Sequence, residues 1–147
     1  MLGRLPDFDA DGSLPPGVHD ADWDEIARVF GTTEHRQHLL EGLERVLRHL
    51  SEVGCERAYI DGSFVTAKVR PNDYDLVWDM DHVDYNRLDP VLFDLRYPRA
   101  AQQAKYYGDI FPNVPEGDSH MLFVDFFQRD KNTGEPKGII TIDLRHF

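Results

Sequence analysis

The stretch Ala58–Met80 reads Ala-Tyr-Ile-Asp-Gly-Ser-Phe-Val-Thr-Ala-Lys-Val-Arg-Pro-Asn-Asp-Tyr-Asp-Leu-Val-Trp-Asp-Met, and the interpretation of the chain turns on it. A short apolar run ends in Gly62-Ser63, nine residues follow, and Asp73-Tyr74-Asp75-Leu76 opens a second apolar run. Side chains of a strand alternate between its faces, so Asp73 and Asp75 project from one face and Tyr74, Leu76, Trp78 and Met80 from the other. The second set is apolar and suits a core. Two carboxylates are therefore held together at the start of a strand, near a Gly-Ser turn.

Like charges at i and i+2 repel unless a cation lies between them. A hard divalent ion with oxygen ligands, Mg²⁺ or Mn²⁺, is the natural neutraliser. Gly62 lets a ligand approach the backbone with no Cβ in the way, and Ser63 adds a hydroxyl and an N–H. Such parts would grip a metal-bound triphosphate.

Gly62-Ser63, the nine-residue loop and Asp73-x-Asp75 between apolar residues resemble the signature of the polymerase-beta-type nucleotidyltransferase superfamily. The likeness is to its minimal single-domain members of bacteria and phages, and it covers Gly62–Leu76, about a tenth of the chain. The loop is at the short end of the family's spacing, and Asp61 stands where the family has an apolar residue. The resemblance implies an α+β fold, a small mixed sheet flanked by helices, and transfer of a nucleoside monophosphate from an NTP such as ATP. It also implies a context, since small stand-alone relatives sit in toxin–antitoxin or phage-defence modules and modify a protein or a tRNA end.

At 147 residues the chain is expected to form one domain, 1–147, burying roughly two-thirds of its unfolded surface. The net charge of −11 argues against broad binding along nucleic-acid backbones, which needs basic surface, and leaves room for contact with one RNA end. No segment approaches the ~20 apolar residues of a membrane span, and the N-terminus lacks the apolar stretch of a signal peptide. The single cysteine, Cys55, excludes a disulfide framework. A cytoplasmic address is expected.

Residues 1–22 carry Pro6, Pro15, Pro16, Gly3, Gly12 and Gly17 and read as an irregular arm, packing through Leu5, Phe8, Leu14 and Val18. Asp7-x-Asp9-x-Asp11-Gly12 imitates the start of a calcium loop, but its twelfth position is Val18 and Pro15-Pro16 interrupts it. Asp20 or Asp22 caps a short helix, Trp23–Phe30, and Thr32 or Thr33 caps a long one, Glu34–Val53, whose Leu39, Leu40, Leu43, Val46, Leu47, Leu50 and Val53 form one apolar stripe. His35 and His38 near its start read as a solvated face. Strands are expected at Arg57–Asp61 and Tyr74–Met80, short helical pieces over residues 81–95, and a helix from Pro98 to about Tyr107. Pro112–Gly117 reads as loop. Met121–Gln128 is predicted as a strand that turns at Asp130–Gly134 into Gly138–Leu144, a C-terminal β-hairpin.

Phosphoryl transfer of this kind uses two metal ions about 4 Å apart. Asp73 and Asp75 can hold one; a third carboxylate from a neighbouring strand helps seat the second. Asp125 suits that place, because a lone carboxylate among apolar neighbours is costly to bury unless paired or metal-bound. The resemblance points the same way, the family placing its third acid within a later apolar strand. Asp143 is the competing candidate. Gly62 and Ser63 would cradle the β and γ phosphates, while Lys68, Arg70 or Lys105, the last with Arg99, would neutralise charge on the leaving pyrophosphate. Tyr106 and Tyr107 could stack on a base.

The expected function is thus Mg²⁺- or Mn²⁺-dependent nucleotidyl transfer to a hydroxyl of a protein or RNA acceptor. Acceptor recognition would fall to the N-terminal arm, to residues 81–118 or to another chain, a partner or a second copy. Asp61 and the short loop support an alternative, a non-catalytic relative that binds a nucleotide or a protein. A metal-dependent phosphohydrolase is a third reading.

Overall fold

Thr33 starts the longest helix by accepting the Arg36 N–H at 3.1 Å, as Asp22 starts the one before it by accepting the Glu25 N–H at 2.9 Å. These helices are α1 (Trp23–Phe30) and α2 (Glu34–Glu52). The computed structural model describes residues 5–96, 99–130 and 132–147. The α2 stripe of Leu39, Leu43, Val46, Leu47 and Leu50 is buried in one core with Ala58, Ile60, Tyr74, Leu76, Ile140 and Ile142 of the sheet.

Among the described residues the sheet has five strands in the order β1-β5-β2-β3-β4. They are β1 (Gly17–Asp20), β2 (Arg57–Asp61), β3 (Tyr74–Trp78), β4 (Gly108–Pro112) and β5 (Gly138–Asp143). Antiparallel pairing joins β5 to β2 and β2 to β3; parallel pairing joins β1 to β5 and β3 to β4. A third helix, α3 (Ala100–Tyr106), leads into β4, and a short one, α4 (Phe123–Phe126), precedes β5. The result is an α+β domain with a mixed sheet. No helix among the described residues is long and apolar enough to cross a membrane.

Several expectations give way here. The arm contributes an edge strand, β1, and Val18 points outward at 44% exposure, while Leu14 is buried and Leu5 and Phe8 pack on the core. Gly108–Pro112 is strand, although its glycine and proline read as a helix stop and a loop start. Pro98, expected in the first turn of α3, lies outside the described residues, as does Lys131 in the Asp130–Gly134 turn.

The C-terminal hairpin is not formed. Met121–Gln128 is not a strand; it holds α4, and β5 lies between β1 and β2. The reason is the spacing of the phenylalanines. Phe123 and Phe127, at i and i+4, stack together on Phe111 with ring centres 4.7 and 5.3 Å away, which a helical turn allows and a strand does not. Among the described residues the two sides of the turn meet in an isolated bridge, Arg129 to Pro136, with backbone hydrogen bonds on either side of it and no extended ladder.

Candidate functional site

Strand alternation sends Ala58 and Ile60 of β2, and Tyr74, Leu76 and Trp78 of β3, into the core under the helices. The intervening residues face the other side. The register then pairs Asp61 with Asp75 and Asp75 with Asp109. Three aspartates from three adjacent strands stand in one row, with Asp73 two residues before the middle one.

These acids differ in their surroundings. Asp61 is 2% exposed, and among the described residues neither of its carboxylate oxygens has a hydrogen-bond partner. The Lys137 ammonium lies 3.3 Å from Oδ1, at ion-pair distance without hydrogen-bond geometry. Burial raises the Asp61 pKa, opposed chiefly by Lys137. Asp75 is pushed up to about 7, first by burial and then by the charges of Asp61, Asp73 and Asp109. On the far flank the Gln103 amide donates to Asp73 and to Asp109, each at 2.8 Å, so a neutral donor links two carboxylates. Arg99 lies 3.9 Å from Asp109, its guanidinium over the Phe111 ring at 4.7 Å.

The turn after β2 abuts this row. Gly62 has φ 90° and ψ −176°, a region open essentially to glycine alone, and a Cβ there would meet Asp75 Oδ2 at 3.1 Å. A 3₁₀ turn follows at Ser63–Val65. Helix α2 fixes the loop beyond it. The buried Arg36 guanidinium donates to the carbonyls of Phe64 (2.7 Å), Thr66 (2.8 Å) and Lys68 (2.6 Å), and His35 meets the Pro71 carbonyl. A cavity of about 190 Å³ opens beside the turn, lined by Asp61, Gly62, Ser63, Thr66, Asp130 and Lys137 among others.

The structure therefore brings together Gly62, Ser63, Asp73 and Asp75. Other sequence-based candidates lie apart. Asp125 sits exposed on α4; the Tyr59 phenol is raised first by burial and then by Asp79, with a smaller part from Asp125, which is not among the charges acting most strongly on Asp75. Lys68 and Arg70 are exposed in the loop, and the Lys68 carbonyl is held by Arg36. Lys105 is paired with Asp89. Asp143 pairs with Arg145 at 2.6 Å, which holds its carboxyl below the usual range. Tyr106 is buried and donates to Asp89, while Tyr107 stacks on His38 with ring centres 4.1 Å apart.

Three site residues emerge from the fold instead: Asp61, Asp109 and Lys137. Asp61 was visible as the last residue of an apolar strand. Asp109 carried a weaker signal, a lone acid beside Ile110-Phe111. Lys137 carried none, because nothing local ties it to β2.

Among the described residues no three His, Cys, Asp or Glu side chains stand close enough to cage a metal ion. Mg²⁺ seldom needs such a cage; it is commonly held by one or two carboxylates, substrate phosphates and water. Adjacent carboxylates with buried, hydrogen-bond-free oxygens on one of them fit that mode of binding. Asp61 and Asp75, with Asp73 and Asp109 beside them, are the residues that could hold the ion.

Comparison with curated proteins and with solved structures returns no match. Residues 6–143, nearly the whole chain, match the profile of DUF6932, described as a family of unknown function, and the chain belongs to that family.

Proposed function

We propose that this chain is a divalent-metal-dependent nucleotidyltransferase, moving a nucleoside monophosphate from an NTP to a hydroxyl of a protein or RNA acceptor. The observation that carries the reading is the juxtaposition of the Asp61–Asp75–Asp109 row and Asp73 with the Gly62-Ser63 bend. In this reading Asp109, in register with Asp75, takes the part of third acid that the sequence suggested for Asp125.

Asp61 and Asp75 would hold a divalent ion, with Asp73 and Asp109 beside them. When bound, that ion supplies positive charge to the phosphates and makes an acceptor hydroxyl more acidic. The bare Cα of Gly62 and the N–H and hydroxyl of Ser63 receive the phosphates beyond the scissile bond. Gln103 holds Asp73 and Asp109 at a fixed separation by donating to both. The acceptor oxygen bonds to the α-phosphorus, the α–β bridging bond breaks, pyrophosphate leaves, and the hydroxyl proton passes to the carboxylate row.

The test is incubation with each α-phosphate-labelled NTP, Mg²⁺ and cell extract. Transfer of label to protein or RNA, lost in Asp73→Ala/Asp75→Ala, is the expected result. No transfer with any NTP would sink the catalytic reading.

One observation favours a second reading, a relative that binds nucleotide without turning it over. The Asp61 carboxylate lines the cavity beside Gly62-Ser63 and opposes the close seating of the triphosphate that transfer requires. Saturable NTP binding by calorimetry with no label transfer would select it.

A further inference from the structure

We infer that Lys137 is a tethered cation occupying the seat beside Asp61 and Asp75, and that a divalent ion binding there displaces it. This rests on the metal-dependent reading above and adds to it a device that no sequence motif announces.

The Asp61–Lys137 contact is that of a placeholder. A carboxylate buried to 2% exposure ordinarily accepts hydrogen bonds on both oxygens, because the desolvation penalty is otherwise unrelieved. Here neither oxygen has a well-formed hydrogen bond among the described residues; the Gly62 N–H and the Lys137 ammonium, the latter at 3.3 Å, are the carboxylate's weak polar partners. The contact relieves charge and little else. A compact divalent ion with water in its shell would satisfy the same oxygens better.

The surroundings give the ammonium somewhere to go. Its backbone is fixed: the Lys137 N–H donates to the Gln128 carbonyl at 2.8 Å, and the next residue, Gly138, donates to the Leu14 carbonyl at 3.2 Å. The four-carbon stem is free to swing from that anchor. Lys137, Asp130, Ser63 and Thr66 line one cavity of about 190 Å³, so a displaced ammonium stays in the space where the phosphates are expected, with the Asp130 carboxylate also within it. Its side chain is 28% exposed, so the movement needs no opening of the core.

Charge requires the exchange. An ammonium and a divalent ion at one carboxylate repel, so their occupancies are coupled, and coupling of this kind is worth about 5–150-fold in affinity. Lys137 therefore weakens metal binding to the empty chain. Once moved, it adds a positive charge toward the polyphosphate. The ion and an anionic substrate then favour each other's binding.

The test is Mn²⁺ binding without nucleotide, followed by electron paramagnetic resonance, on folded wild type, Lys137→Met and Asp61→Asn. Lys137→Met is expected to bind at least about 5-fold more tightly than wild type, and Asp61→Asn more weakly. Mn²⁺ binding that appears only in Lys137→Met also supports the inference. Equal or weaker binding by Lys137→Met overturns it and leaves the metal-dependent reading standing; no binding by any form overturns both. A second arm needs no destabilising variant. After reductive ¹³C-methylation, which keeps the charge, the Lys137 resonance is assigned by its loss in Lys137→Arg. It should shift on addition of Mg²⁺ and stay put with NaCl at equal ionic strength. A resonance unmoved by saturating Mg²⁺ overturns the inference.

Discussion

Asp61 and Asp75 are direct cross-strand partners on antiparallel β2 and β3, so two carboxylates face the same side of the sheet from adjacent strands. Like charges directly opposite are destabilising in a sheet. The fold tolerates them by burying one beside a lysine and by letting the other hold its proton to higher pH.

That proton has a measurable consequence. The Asp75 carboxyl rises from an ordinary 3.8 to about 7 in the folded chain, so the unfolded chain gives up its proton first as pH increases. Its contribution to stability is full below about pH 4 and is lost progressively up to about pH 7. Asp75→Asn should therefore raise neutral-pH stability by about 2 kcal/mol or more, and by almost nothing at pH 4. Thermal melts of both forms across that range are the check, and equal melting temperatures at pH 7.5 would refute it.

Gly62→Ala should be costly in two ways, through its positive φ and through contact with Asp75. A loss of about 1–3 kcal/mol is expected from the backbone alone. Chemical denaturation measures it. Gly134→Ala, also at positive φ but with nothing within 4 Å of an added Cβ, tests a positive φ without the carboxylate contact.

Arg36 holds the loop that carries Ser63. Replacing it with Met strands the carbonyls of Phe64, Thr66 and Lys68 and should cost about 2–4 kcal/mol. Lysine cannot span several carbonyls at once, so Arg36→Lys should rescue little. Hydrogen exchange should speed up in residues 63–71 in both variants, and an unchanged exchange pattern there would contradict the bracing role.

The third acid can be assigned by a pair of substitutions. Asp109→Ala should lower label transfer at least about 100-fold, in the range of other losses of transition-state charge stabilisation. Asp125→Ala, exposed on α4, should change it less than about 3-fold. The reverse ranking would restore Asp125 to the site.

Local patterns made much of this legible in the sequence. Helices α1 and α2 announce themselves by capping residues and a 3.6-residue stripe, and β2 and β3 by alternation ending in Gly62-Ser63 and starting at Asp73. What stayed hidden depends on pairing between distant segments. Asp109 reaches Asp75 only through the parallel register of β3 and β4, with α3 and its flanks lying between them in sequence. Asp125 misled because Phe123 and Phe127 fit alternation as well as a helical turn, and only contact with Phe111 decides between them. Lys137 meets Asp61 because β5 runs beside β2, a neighbour relation that no short window of sequence encodes.

The strand formed last in sequence is the one that joins the first to the rest. Gly17 aligns with Gly138, and β5 separates β1 from β2. On a ribosome, then, β2 keeps a bare edge until about residue 143 has emerged, and pairing of β1 waits on the long segment from Asp20 to Gly138. Such long-range pairing slows folding and leaves partly made chains prone to association. Nascent chains stalled before Gly138 should accordingly be the aggregation-prone species of this protein.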